Sequence, residues 1–301
     1  VATLHGRQEF MTSNRPVPDQ SDSSIDADAF SAFEAAGWEH QAPTYDDVIG
    51  QVTSRLVPPL LDAARVQRGS RVLDVATGPG YAAAEAADRG ASVVGVDVAP
   101  AMVGLARRLH PTIEFRLAKA EALPFEAGVF DAAVSNFLVP HLAQPERAVS
   151  ELVRVVRDGG RVALTTWDWP AKMRLLGVFP ASFEEAGAVP PHDVPAGPRF
   201  FSFADEEVFA NLLVDSGLSD VRIITVSFDH QIQSAEDLWQ GMLGGTVRTS
   251  AFYLGQPEQT RHNIRAAFDR LILDYRRGDW FELPISVKLA SGIKFPNNEP
   301  G

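Results

Sequence analysis

Asp74 and Asp97, with Gly78 and Gly80 between them, are the residues whose types and spacing point most directly to chemistry. The run Arg-Val-Leu-Asp-Val-Ala-Thr-Gly-Pro-Gly over 71–80 reads as a buried strand that turns through two glycines into a helix. A second apolar run, Ser-Val-Val-Gly-Val-Asp over 92–97, ends in a carboxylate at the distance of the next parallel strand. In such a unit the glycines let the backbone approach a ligand and the second acid can take two sugar hydroxyls, so a nucleoside cofactor is expected. The segment Gly78-Pro79-Gly80-Tyr81-Ala82-Ala83 satisfies G-x-G-x-x-A, which a nicotinamide-dependent oxidoreductase would also satisfy. Asp74 weighs against that alternative, because a carboxylate ending the first strand repels a pyrophosphate and welcomes a cation. S-adenosyl-L-methionine carries an ammonium and a sulfonium in place of two phosphates, so one acid at each strand end suits it.

For these residues to meet, strands and helices must alternate around a parallel sheet. Strands are predicted at 71–76, 92–97, 113–118, 130–136 and 161–167, with helices at 80–88, 100–109 and 145–157 between them. This alternation gives an α/β class: a doubly wound, mostly parallel, seven-stranded sheet with helical caps. Gly159-Gly160 reads as a helix stop. The expected divisions are a disordered tail over 1–29, a helical lid over 30–69, a cofactor-binding core over 70–168, and an irregular, apolar cap over 169–203. The core continues over 204–232, with a helix at 205–216 and a strand at 220–230. A helical insertion over 233–280 and a last core strand and tail over 281–301 complete the chain.

At four blocks in order, the chain resembles the class I S-adenosylmethionine-dependent methyltransferases, and more closely their ubiquinone/menaquinone C-methyltransferase-like, small-molecule branch. The blocks are Asp74-Val75-Ala76-Thr77-Gly78-Pro79-Gly80, with Ala76 where a glycine is common; Val94-Gly95-Val96-Asp97; Ala120-Glu121-Ala122-Leu123-Pro124-Phe125 with Phe130-Asp131-Ala132-Ala133-Val134-Ser135-Asn136; and Leu152 to Gly160. The resemblance implies cofactor contacts from Asp74, Ala76, Gly78, Gly80, Asp97, Val98, Met102, Ala120, Glu121, Asn136 and Phe137. It departs from the family at Lys119, where relatives usually place an aspartate that accepts from the adenine amino group; an ammonium is donor-only. Glu121, a backbone carbonyl, or packing from Ala99, Met102 and Leu117 is expected to substitute. Asp131 is expected to orient the start of its strand.

Methyl transfer from a sulfonium is an in-line displacement that rests on alignment, with a base needed when the acceptor is a hydroxyl or a carbon acid. Candidates are His141 and Asp168, just past strand ends, and Tyr45, which resembles a tyrosine over the cofactor's methionine end; His40 and His192 rank below them. Against these roles stand ordinary ones: a backbone bond for His141, a turn cap for Asp168, a half-buried ring for Tyr45. Trp167, Phe179, Phe183, Phe201 and Phe203 are expected to line an apolar acceptor pocket, or else to fasten the cap to the sheet. Arg248, Arg261 and Arg265 would suit an acidic acceptor if they faced inward. An apolar face over 257–277 would make a homo-oligomer contact if it were exposed.

Composition narrows the class further. A net charge of −12 over 301 residues opposes a nucleic-acid partner, which needs a basic face. The absence of cysteine excludes a disulfide framework, and no histidine spacing suggests a metal site. No apolar run is long enough for a membrane span, so no membrane partner is expected and the location is read as cytoplasmic. The resemblance implies an enzyme that moves a methyl group from S-adenosyl-L-methionine to an oxygen or carbon of a small apolar or aromatic molecule, a specialised metabolite or a quinone-like acceptor. The alternative is a protein of the same fold that binds the cofactor and catalyses a different reaction or none.

Overall fold

The computed structural model describes residues 25–295, so the tail expected over 1–29 lies mostly outside the described residues. Within them, α1 (Ala27–Gln41) starts where the Asp26 carboxylate accepts from the Ala29 N–H, a side-chain cap that satisfies an otherwise orphan donor. The short α2 (Ile49–Thr53) and α3 (Val57–Ala63) follow, α3 carrying its prolines in the first turn, where no N–H is missed.

The alternation then runs as the pattern requires: β1 (Arg71–Val75), α4 (Tyr81–Asp88), β2 (Ser92–Asp97), α5 (Pro100–Leu109), β3 (Glu114–Leu117), β4 (Phe130–Ser135), α6 (Pro145–Val155) and β5 (Val156–Trp167). Next come α7 (Arg174–Glu185), α8 (Glu206–Asp215), β6 (Leu218–Ile232), α9 (Ala235–Gly245), α10 (Val247–Leu254), α11 (Glu258–Leu271), the two-residue β7 (Arg276–Arg277) and β8 (Trp280–Lys294). The sheet order is β3-β2-β1-β4-β5-β8-β6, with β7 paired to β8 off this path. β1 to β5 are parallel, and β8 runs antiparallel to both β5 and β6. The order reverses between β1 and β4, which opens a crevice at their carboxyl ends. The Ser135 hydroxyl donates to the Val75 carbonyl at 2.6 Å and ties those two ends together.

Two details differ from the sequence reading. α6 ends at Val155, and Val156 already pairs with Phe130, so Gly159-Gly160 lies within a bulged start of β5 rather than at a helix stop. A Cβ on Gly160 would come 2.6 Å from the Asp131 carbonyl, which explains the glycine. Asp131 orients the start of β4 as expected, accepting from the Arg71 N–H at 2.7 Å and from Arg157 Nε at 2.6 Å. Finally, the cap over 169–203 is not irregular throughout, because α7 occupies a third of it with Pro180 inside the helix.

α7 is hidden by its proline in the sequence and held by packing in the structure. Gly177 lies against the Pro170 carbonyl so closely that any side chain there would collide with it. The Phe179 ring is fully buried, 5.6 Å from Trp239 of α9 and 5.2 Å from Phe268 of α11. Ile264, Phe268 and Ile272 thus turn into the core, so the apolar face of α11 is not an exposed dimer surface. No helix among the described residues is long and apolar enough to cross a membrane. Phe179→Ala should cost about 3–5 kcal/mol of stability, because the aromatic cluster cannot collapse around the void. A urea midpoint unchanged from that of the parent chain would show that α7 is not held this way.

Candidate active site

The crevice at the switch between β1 and β4 deepens into a cavity of about 780 Å³. One end is walled by Ala76, Gly78, Asp97, Val98, Met102 and residues 118–122, and the other by aromatic residues from the caps. Asp97 closes β2 with both oxygens engaged, Oδ2 accepting from the Gly78 N–H at 2.9 Å and Oδ1 from the Ala99 N–H at 3.0 Å. These bonds fix the turn after β1 against the end of β2. Ala76 takes φ +57°, a left-handed conformation that an L side chain adopts at a cost of about 1–2 kcal/mol. The Thr77 N–H, bonded to the Val96 carbonyl at 2.9 Å, follows immediately.

Asp74 lies behind this turn and outside the cavity wall. Its Oδ2 accepts from the Thr77 hydroxyl at 2.6 Å and from the Ala83 N–H at 3.0 Å, bracing the turn to the first turn of α4. Asp74 thus supports the glycine turn from outside the wall, and the cavity lining does not include it where a direct contact with a cofactor ammonium was expected. Among the described residues, no lysine or arginine forms an ion pair with Asp74 or Asp97. Burial pushes Asp74 up to about 7, with Asp97 adding repulsion, and burial also raises Asp97. A polyanionic pyrophosphate would worsen this imbalance. A cationic ligand relieves it.

The two glycines do different work. Gly78 has φ +52° and faces open space, so a Cβ there would project into the cavity that it lines. Gly80 has φ +90° but lies outside the cavity, and its Cβ would meet the His110 and Phe115 rings at 2.9 Å each. Gly80 therefore allows α4 to pack on the neighbouring rings rather than a ligand to approach. At this end neither Leu117 nor Ala99 lines the cavity as a packing residue: Leu117 points outward, 57 % exposed, and Ala99 is buried behind the wall. Met102, Lys119, Ala120 and Glu121 line the cavity.

The middle of the cavity is built after β4. Asn136 donates from Nδ2 to the Thr53 carbonyl at 2.9 Å, and its Oδ1 accepts from the Thr165 hydroxyl at 2.6 Å. That hydroxyl in turn accepts from the Phe137 N–H at 2.9 Å and holds Phe137 at φ +63°, where its ring stacks 3.8 Å from Trp167. Tyr45 faces this region with its hydroxyl 3.1 Å from Thr53 Oγ1, and burial pushes its phenol up to about 12. At neutral pH Tyr45 is a protonated hydrogen-bonding group, not a base.

His141 stands at the aromatic end of the cavity, with Nδ1 3.0 Å from Glu34 Oε2 and its ring edge-on to Trp38 and Phe200. Glu34 comes from α1, is buried, and leaves its other oxygen without a partner. The sequence offered no signal for it, since a lone acid on a helix normally reads as solvated surface. Asp168, the other base candidate, is fully buried away from the cavity, where it accepts from the Trp169 N–H and the Ser286 hydroxyl at 2.8 Å each. Its place is to join β5 to β8. Phe183, Phe201 and Trp167 line the cavity, together with Phe200 and Phe252. Phe179 does not, being enclosed between α9 and α11, and Phe203 belongs instead to the core with Phe209 beneath α8. His40 and His192 also lie outside the wall.

Fold and site together define a Rossmann-like protein with a site for a cationic nucleoside. Residues 73–164 match the family model described as a methyltransferase domain. The chain is 32 % identical over 200 residues to a demethylmenaquinone methyltransferase of Renibacterium salmoninarum, covering 62 % of this chain and 84 % of that one. It is 30 % identical over 200 residues to the enzyme of the same description from Paenarthrobacter aurescens, covering 62 % and 79 %. Among solved structures it shares its fold with the cyclase SpnF, at a TM-score of 0.56 and 20 % identity over 91 % of this chain and 100 % of that one. The chain belongs to the class I S-adenosylmethionine-dependent methyltransferases, in the branch that contains the demethylmenaquinone methyltransferases. It is a methyltransferase, and S-adenosylmethionine is its cofactor.

The open cradle at Gly78 and the uncompensated acids fit that cofactor. Gly78→Ala should weaken S-adenosylhomocysteine binding by about 1–3 kcal/mol through the intruding methyl group. Gly80→Ala should instead lower the melting temperature and affect affinity less; calorimetry with thermal melts distinguishes the two, and a reversed pattern would refute this division. The raised Asp74 has a further consequence. Its native carboxyl binds a proton that the unfolded one has released, so this contribution to stability is full below about pH 4 and is lost as pH rises through about 7. Relative to the parent chain, Asp74→Asn should therefore gain stability between pH 4 and 8, by as much as about 4 kcal/mol. A pH-independent difference in urea unfolding would contradict the assignment.

Proposed function

We propose that this methyltransferase acts on an oxygen or carbon of a small aromatic, quinone-like acceptor, with His141 as general base and Glu34 as its positioning residue. The observation that carries the reading is the His141–Glu34 pair set in an aromatic wall, in the same cavity as the Gly78–Asp97 turn. The two demethylmenaquinone methyltransferase relatives support the acceptor class.

In this reading Gly78, Asp97, Val98, Met102, Ala120 and Glu121 hold the cofactor, whose bound sulfonium supplies an electrophilic methyl group. Asp97 offers its carboxylate to the ribose, and the main chain over 118–122 offers polar groups to the adenine in place of the family aspartate. Asn136, Phe137 and Tyr45 form the passage between the two ends, and the phenol of Tyr45 stays protonated. Glu34 takes the Nδ1–H of His141, which leaves Nε2 as the acceptor for a hydroxyl or carbon-acid proton. Phe183, Phe200, Phe201 and Trp167 exclude water from the acceptor ring. A cytoplasmic location fits the cysteine-free chain.

The test is formation of S-adenosylhomocysteine from S-adenosylmethionine with a panel of phenols and reduced naphthoquinones. His141→Ala should lower kcat about 10²–10⁴-fold with S-adenosylhomocysteine affinity unchanged. Glu34→Gln should produce a smaller loss and move the limb of the pH–rate profile that reports the base. An unaltered rate in His141→Ala would remove the base from this account.

A further inference from the structure

Arg248, on α10, lines the acceptor end of the cavity. Its guanidinium donates to the Pro198 carbonyl at 2.9 Å and lies over the rings of Phe30 and Phe200, 5.4 and 5.6 Å from their centroids. Among the described residues, no carboxylate lies within ion-pair distance of it, whereas Arg265 on the neighbouring α11 pairs with both Glu236 and Asp269. The rings and one carbonyl hold the guanidinium, and the Glu34 carboxylate supports its charge from beyond ion-pair distance. Desolvation opposes its charge by more than Glu34 supports it, which makes a cation without a direct ion pair costly here. Such a planar fork matches the oxygens of an anion.

We propose that Arg248 anchors the acceptor through an ionised ring oxygen, so that the preferred acceptor is an aromatic bearing an acidic hydroxyl. The proposal rests on the methyl-transfer reading of the same cavity and adds what selects its substrate. The other charges at this end are consistent with it. Glu34 is engaged with His141, and when the acceptor O–H bond breaks, its proton goes to His141 Nε2 while the electron pair stays on oxygen. The imidazolium–Glu34 pair is then neutral overall, and the positive charge of Arg248 faces the ring oxygen. Asp28 and Arg147 also line the cavity, on α1 and α6, and are opposite in sign.

Two probes of nearly the same shape test this: 2-hydroxy-1,4-naphthoquinone, which is ionised at neutral pH, and neutral 1,4-naphthoquinone. Each is titrated into the full chain saturated with S-adenosylhomocysteine. The chain has no cysteine, so thiol addition to the quinones does not interfere. The parent chain should bind the ionised probe about tenfold or more tighter than the neutral one. Arg248→Gln should remove that preference while leaving affinity for the neutral probe and for S-adenosylhomocysteine unchanged, and Arg248→Lys should retain part of it. Equal affinity for the two probes in the parent chain, or a preference that survives in Arg248→Gln, overturns the proposal whether or not the variants are stable. Affinity for S-adenosylhomocysteine is measured on the same preparations: its absence would overturn the methyl-transfer reading and this proposal with it, whereas intact binding without a probe preference overturns the Arg248 assignment alone.

Discussion

Two buried carboxylates without a cation between them are the constraint on which the rest of this molecule depends. Parallel pairing of β1 with β2 sets Asp74 opposite Gly95 and brings the end of β2, with Asp97, beside the turn that follows β1. Backbone N–H groups from Gly78, Ala83 and Ala99 solvate the two acids, but those dipoles do not cancel their charge. The turn is thereby held in a conformation that places Ala76 and Gly78 at positive φ, and the same acids repel phosphate and attract a cation. One arrangement thus shapes the site and chooses between cofactor classes that share a glycine motif.

The aromatic end of the cavity is made by segments outside the sheet. α1 supplies Glu34, the segment after β4 supplies His141, α7 supplies Phe183, and α10 supplies Arg248 and Phe252. α7 and α11 are fastened to each other by the Phe179, Trp239 and Phe268 rings, so the apolar wall rests on a packed core and not on a loose loop. The sheet builds the end of the cavity at Gly78 and Asp97, and the caps build the other.

The sheet was legible in the sequence because strands buried on both faces and helices buried on one have different apolar periods. The turn with Gly78 and the acid at Asp97 were legible for the same reason, since they sit where those periods change. Gly80 and Asp74 were misplaced as ligand contacts because a motif records which residues a turn needs without telling support from contact. Gly80 answers to His110 and Phe115, and Asp74 to Thr77 and Ala83. Phe179 and Phe203 were misassigned because aromatic content alone does not tell a cavity wall from a core. Glu34 was not legible, because its partner lies 107 residues away and only tertiary packing brings them together. Arg248 was visible only as one of three arginines whose facing depended on how α10 and α11 pack.

The most direct test of the central claim is calorimetric titration of the purified chain with S-adenosylhomocysteine, S-adenosylmethionine and NADH in parallel. Micromolar binding of the two sulfur nucleosides with no heat from NADH is the predicted result. Binding of NADH, or no binding of any of the three by a chain shown to be folded, would contradict the account of the paired acids.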